Sequence, residues 1–209
     1  MKGILGLLRP AARSAAPSAQ DTTFFTTAFA GQGVDAARLV PWEARAVEVG
    51  ASKLSRRQGG RRLAQLWAQD ATMAVLGSEA IERLARFCLF AHVPAGREVI
   101  RQDEYGNFMA VVLDGTLAIE RQHAGGEQQR LALTQPGDIL GEMSLIDSGI
   151  RFSACTTLSD CEIAVLSAEA MDDMMDRDPM LAASVVTLLA RKLSQRLRVI
   201  GARLSEQRQ

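Results

Sequence analysis

Between Arg97 and Leu166 the apolar residues fall in short runs with a two-residue period: REVIR, FMAVVL, TLAIERQ, QRLALTQ, SACTTL and EIAVL. Successive side chains of a strand point to opposite faces, so this period predicts strands. The separators PAG, DEYGN, DG, HAGGE, PGD and LSD supply the residues that tight turns need. Outside this stretch the period becomes helical. RLAQLWAQDATMAVL, from Arg62, keeps one apolar face, and Ser78 with Glu79 and Glu82 behind it predicts a helix to about Phe90. After the strands, Ser167 caps AEAMDDMM. Asp178-Pro179, a cap and a first-turn proline, then launches the longest helix, to about Leu204. The expected fold class is α+β: an antiparallel, jelly-roll-like β-roll of about eight strands, flanked by N-terminal helices and two C-terminal helices.

The chain ahead of Arg62 lacks such a pattern. MKGILGLLRPAARSAAPSAQ contains no acid, and its short apolar core GILGLL is broken by Arg9-Pro10, which disfavours a secretory signal. A tail is expected there, with a short interfacial or targeting peptide as the alternative. Residues 21–62 show isolated aromatics (FFTTAF, PWE) and little sustained period, and read as a poorly structured or partner-dependent arm. The arm ends in KLSRRQGGRR, with five positive residues and no acid across Lys53–Arg62. This is a solvated basic linker with a Gly-Gly hinge, or a contact to nucleic acid or an anionic membrane. The expected division is 1–62, an arm able to meet an unidentified protein partner, and 63–209, the folded domain.

Composition narrows the function classes. The 209 residues are 47% apolar and 23% charged, and no run of 18 apolar residues occurs, so a spanning helix is excluded. Lys+Arg and Asp+Glu both total 24, so the whole-chain charge predicts no polyanionic partner, and nucleic acid is not expected. Up to Asp70 there are ten basic residues against five acidic ones, which leaves the remainder net acidic by the same margin. Cys88, Cys155 and Cys161 are odd in number and lack CxxC spacing; buried thiols in a reducing cytoplasm are expected. His92 and His123 lack partners at ligand spacing, so no metal site is expected. No Walker-type, GxSxG or HExxH motif is present, and a non-enzyme is expected.

One segment does suggest chemistry. In LGEMSLIDSGIRFSA (140–154), GEMSLID can form a short helical turn whose N-terminus suits an anion. Gly141 permits close backbone approach, and Glu142 complements the helix dipole. Ser148-Gly149 turns the chain back and brings in Arg151, whose parallel donors match a phosphate. A phosphate-bearing ligand with a nearby hydroxyl fits this pair. Taken alone, the residues equally fit a structural Glu–Arg pair across a turn.

The segment resembles the phosphate-binding cassette of cyclic nucleotide-binding domains, the family of the catabolite activator protein and of the regulatory subunits of cyclic-AMP-dependent protein kinase. Its pattern is roughly F-G-E-(L/M)-(A/S)-L, a short turn, then P-R-(S/T/A)-A-T. This chain matches at Gly141, Glu142, Met143, Ser144, Leu145 and Arg151. PAGREVIRQDE, VVLDGTLAI and PGDILGE extend the resemblance, which runs from about Ala64 to Leu204. It implies that Glu142 accepts the ribose 2′-hydroxyl and that Arg151 pairs with the cyclic phosphate. Backbone N–H groups of Gly141 to Ser144 and of the residues after the arginine, Phe152 and Ser153, would add contacts. The implied ligand is cyclic AMP, with cyclic GMP or another cyclic nucleotide as the alternative.

Ile150 and Leu140 replace the family's proline and phenylalanine, and Phe152 replaces a small or hydroxyl residue that helps to distinguish the purine. Arg196 and Leu197 stand where the catabolite activator has two hydroxyl residues on its long helix. Phe152 could stack on the base and Arg196 cap it by a cation–π contact; alternatively, the bulk of Phe152 closes the pocket. On that helix Val186, Ala190, Leu193, Leu197, Ile200 and Leu204 make an a/d stripe, suited to a lid and to a homodimer seam over 179–204. Three readings follow. The first is a cytoplasmic cyclic-nucleotide sensor that signals through its C-terminal helix, and the second is a degenerate scaffold that binds no ligand. The third is a transcription regulator of the catabolite activator type, disfavoured because only about five residues follow Leu204, too few for a helix-turn-helix.

Overall fold

The run FMAVVL is apolar at every position because both of its faces are buried. In the computed structural model, which describes residues 23–206, it forms the middle of the fold; the expected tail over residues 1–20 lies outside the described residues. In chain order the elements are α1 (Phe24–Gly31), a 3-10 turn (Ala36–Arg38), β1 (Leu39–Val40), α2 (Trp42–Glu48), β2 (Ser52–Lys53), α3 (Arg56–Gln69), a second 3-10 turn (Met73–Leu76) and α4 (Gly77–Leu84). The roll follows: β3 (Leu89–Val93), β4 (Glu98–Ile100), β5 (Tyr105–Gly106), β6 (Phe108–Asp114), β7 (Leu117–Gln122), β8 (Gln128–Leu133) and β9 (Ile139–Leu140). Then come α5 (Glu142–Asp147), β10 (Ala154–Thr157), β11 (Cys161–Ser167), α6 (Ala168–Arg177) and α7 (Pro179–Glu206).

Two antiparallel sheets, β2-β3-β11-β6-β9 and β4-β10-β7-β8, face each other as the α+β roll that the sequence predicts. Phe108, Ala110 and Val112 of β6 point between the sheets, where Val99, Ile100, Leu117, Leu140, Ile163 and Val165 meet them. Met109, Val111 and Leu113 point the other way, into a second core made with the helices. That core takes Leu63 and Trp67 from α3, Ile81 and Leu84 from α4, Met171 and Met174 from α6, and Leu181, Val185, Leu188 and Leu189 from α7. Helices from both ends of the roll thus share one of its faces. All three cysteines are buried and free, and burial pushes the Cys88 and Cys155 thiols up to about 12.

The helices near the roll differ in detail from those the sequence predicts. RLAQLWAQDATMAVL does not stay one helix: the Asp70 carboxylate accepts from the N–H groups of Thr72 and Met73, both at 2.9 Å, and starts the second 3-10 turn. α4 ends at Leu84, without a side-chain cap from Ser78, because Leu89–Val93 is drawn into β3 by antiparallel pairing with β11. Ser167 does cap α6, accepting from Ala170 N at 3.2 Å, and Asp178 accepts from Leu181 N at 3.2 Å at the head of α7.

Where the sequence suggests a loose arm over 21–62, the described part is helical and packed. Asp172 of α6 caps α1 from outside, accepting from Phe25 N at 2.8 Å and Thr26 N at 3.0 Å, while Phe25 and Phe29 are buried. Trp42 and Val49 enter the core between the sheets. The Gly-Gly pair lies inside α3, whose cap Ser55 accepts from Gln58 N at 3.2 Å, so the 62/63 boundary falls within a helix. Gly59 is buried face-on against Phe90, and a β-carbon there would collide with the ring. Gly59→Ala therefore trades roughly 1 kcal/mol of helix propensity against overpacking. We expect a net loss of about 1–3 kcal/mol in denaturant unfolding, whereas Gly125→Ala, with open space around it, should be near neutral.

Candidate functional site

Gly141 stands between β9 and α5 with φ +73°, a left-handed conformation that glycine adopts without strain. It also has no room for a side chain. A β-carbon would come within 2.5 Å of Arg151 Nη1 and 2.9 Å of Ile100 Cδ1. Buried Ser148, also left-handed at φ 55°, ends α5, and Gly149 N donates to the Asp147 carboxylate at 2.9 Å. The chain thereby returns to place Ile150 in a bridge with Tyr105 and Arg151 behind Gly141.

Arg151 is only 3% exposed. Nη1 donates to the Gly141 carbonyl at 2.7 Å and Nη2 to the Phe108 carbonyl at 2.6 Å, while the guanidinium carbon sits 4.7 Å above the Phe108 ring. Among the described residues no carboxylate comes within ion-pair distance of it. Burial lowers its pKa to about 10, which still leaves it charged at neutral pH. A buried cation held by carbonyl dipoles and a ring face, with donors to spare, is suited to a bound anion.

Glu142 is likewise buried, and its Oε1 accepts from Arg196 Nη1 at 2.5 Å. Arg196 reaches down from α7, and its Nη2 also donates to the Ile139 carbonyl at 3.2 Å. Burial raises the Glu142 pKa, against the opposing charges of Arg196 and Arg151. Gly141, Glu142, Met143, Ser144, Arg151, Phe152, Ser153 and Arg196 all line one cavity of about 160 Å³. The residues singled out in the sequence are thus brought together. Ile100, Ile119, Leu131, Ile139, Leu140 and Cys155 complete the wall.

Two placements differ from the sequence reading. Arg196 meets Glu142 rather than Phe152. The half-exposed Phe152 ring is covered instead by Arg121 of β7, whose guanidinium carbon lies 4.3 Å from the ring centroid and which also donates to the Phe152 carbonyl. Nothing in the sequence reading singles out Arg121, which lies within the strand run TLAIERQ. Its signal was the strand alternation, which puts it on the same face of β7 as the cavity residue Ile119.

The first half of α7 is anchored by Leu181, Ala182, Val185, Leu188 and Leu189. Of the a/d stripe, Val186 and Leu193 are half-buried, and Ala190, Leu197 and Ile200 are exposed. Past Leu189 the helix is tied down by polar contacts, Lys192 to Asp70 at 2.5 Å and Arg196 to Glu142. Arg196→Ala should therefore raise the Glu142 pKa further, as read by NMR titration of the carboxyl carbon. A carboxylate whose folded pKa exceeds its unfolded one binds more protons when folded, so stability falls as pH rises through that interval. The variant should show a steeper fall between the ordinary glutamate range and the raised Glu142 value than the parent chain.

Comparison with known proteins agrees with this architecture. The sequence pattern of the family described as "Cyclic nucleotide-binding domain" matches residues 90–178, from β3 to the end of α6. The "Cyclic AMP receptor protein" of Thermus thermophilus is 34% identical over 102 residues, which are 49% of this chain and 47% of that protein. The chain thus spans about half the length of that relative. Among solved structures, a cyclic nucleotide-binding domain from Methylobacillus flagellatus superposes with a TM-score of 0.68 at 20% identity, covering 75% of this chain and 89% of that one. The Thermus thermophilus catabolite activator protein superposes with a TM-score of 0.54 at 27% identity, covering 66% and 62%. Residues 90–178 thus match the sequence pattern of the cyclic nucleotide-binding domain, and the roll shares the fold of the solved domain.

Proposed function

We propose that this protein is a cyclic-nucleotide sensor, taking cyclic AMP or a close relative, that regulates a partner protein through α7 and is not itself an enzyme. The observation that carries the reading is Arg151: a buried guanidinium with no ion-pair partner among the described residues, beside Gly141 and the buried Glu142. A cyclic nucleotide supplies a singly charged phosphodiester and, one ring away, a ribose hydroxyl. Arg151 is placed to pair with the first and Glu142 to accept from the second. The Thermus relative is named for cyclic AMP, which makes that nucleotide the first to test. Phe152, held by Arg121, is the base-side surface and the residue on which purine choice turns.

The cavity, about 160 Å³, is smaller than the roughly 300–1,000 Å³ typical of ligand pockets. The Arg196–Glu142 pair accounts for part of the shortfall, since Arg196 occupies the carboxylate that the ribose needs. Binding must release Arg196, which leaves Lys192–Asp70 to hold the half of α7 beyond Leu189. The sensor thus has a bistable element, biased by any ligand that prefers the released state. Exposed Leu197, Val199 and Ile200 on that half would then serve a homodimer seam or a partner. A cytoplasmic location fits this reading, and no described helix is long and apolar enough to cross a membrane.

The same pair favours a second reading, a scaffold in which Arg196 has permanently replaced the ligand. Calorimetry separates the two. The sensor reading expects heat with cyclic AMP or cyclic GMP. It also expects at least a hundredfold loss in Arg151→Ala, which equals about 2.7 kcal/mol, within the range of a charged hydrogen-bonded pair. Arg196→Ala should bind several-fold more tightly, since Glu142 loses its competitor. Absence of heat and of thermal shift with both nucleotides in the parent chain would leave the scaffold standing.

A further inference from the structure

Residues 36–49 precede the segment matched by the family, yet they touch three of the neighbours that hold Arg151. The first contact is through backbone. β1 pairs in parallel with β5, Leu39 against Tyr105 and Val40 against Gly106. Gly106 lies flat against the guanidinium, where a β-carbon would stand 2.6 Å from Arg151 Nη2. The second is aromatic. Trp42 of α2 meets Phe108 edge-on at 5.5 Å between centroids, and Phe108 offers Arg151 both its ring face and its carbonyl.

The third contact is ionic. Arg45 of α2 is 1% exposed, pairs with Glu48 at 2.6 Å, and also pairs with Glu104. Glu104 is the residue whose carbonyl accepts from Arg151 N at 2.8 Å, and its neighbour Asp103 N donates to the Arg151 carbonyl at 2.9 Å. Arg101 strengthens the same loop, bonding Glu104 at 2.9 Å and also Glu48. Arg45, Glu104, Gly106, Phe108 and Arg151 close around one another without leaving a cavity.

Stability alone does not call for an arginine here. Burying a charge costs several kcal/mol before pairing, and apolar residues of similar volume often serve as well or better. The Arg45 Nε even lacks a partner among the described residues. What a planar, two-armed cation adds is orientation, because it binds Glu48 on its own helix and Glu104 on the loop at once. We infer that residues 36–49 are a positioning strap for the anion site, and that Arg45 is its positioning residue, setting the backbone of Arg151 through Glu104. The ligand half of this inference rests on the cyclic-nucleotide reading; the backbone half does not.

The test uses the full chain with Arg45→Met, Arg45→Lys and Glu104→Gln. Hydrogen exchange of the Arg151 and Asp103 amides reports the ladder directly, and the Ile163 amide in the middle of β11 reports global stability. Arg45→Met should speed exchange at Arg151 and Asp103 but not at Ile163. It should also weaken cyclic AMP binding by roughly ten- to hundredfold, the range seen when a positioning partner of a ligand-holding residue is lost. Arg45→Lys, which can still reach Glu104, should recover part of both effects. Glu104→Gln should repeat the exchange result without removing the buried cation, and it decides the matter if Arg45→Met does not fold. Unchanged exchange at Arg151 and Asp103, or a uniform rise that includes Ile163, overturns the inference. If the parent chain fails to bind cyclic AMP, the sensor reading falls, while the exchange pattern still decides whether the strap positions Arg151.

Discussion

Among the described residues Arg151 is a positive charge buried without an ion-pair partner, a costly object, and its surroundings are arranged to tolerate it. Arg151 lies among two carbonyls, one aromatic face and two glycines. Each carbonyl contributes a dipole where a carboxylate would contribute a charge, which holds the guanidinium in place without neutralising it. Glycine at 106 and 141 is dictated by the same object, because a β-carbon at either position would enter the space the guanidinium fills. That unmet electrostatic demand is what suits the pocket to an anion.

Glu142 shows the complementary logic. Two buried groups of opposite sign lie in one cavity, yet the structure does not pair them with each other; the acid is given to Arg196 on α7 instead. Arg196 is about half exposed, so solvent screens its side of the pair although Glu142 is buried. A hydroxyl donor entering the cavity would compete with Arg196 for that carboxylate. The apolar anchoring of α7 stops at Leu189, so the half beyond it rests on few buried apolar contacts.

The roll and the cassette were legible because their signals are local. Two-residue alternation, turn residues and the caps at Ser167 and Asp178 each lie within a few positions of the element they define. The cassette likewise packs its glycine, acid and arginine into eleven positions of one segment. Arg121 and the Arg196–Glu142 contact were not legible, since both depend on which residues the roll brings together from distant strands and helices.

The segment from Phe24 to Lys53 was opaque for a related reason. Its helices are short, eight residues in α1 and seven in α2, and each buries only two side chains. No periodicity can emerge from so few positions. Its caps are also remote. α1 is held by a carboxylate 147 residues further along the chain, and α2 by Glu104 across the roll. Isolated aromatics and a lone arginine in a weakly patterned stretch look like a linker because each one meets a partner that the local sequence does not contain. Trp42 and Arg45 show that such a stretch can be packed as tightly as the core it adjoins. It can therefore govern the geometry of a site that lies entirely outside it.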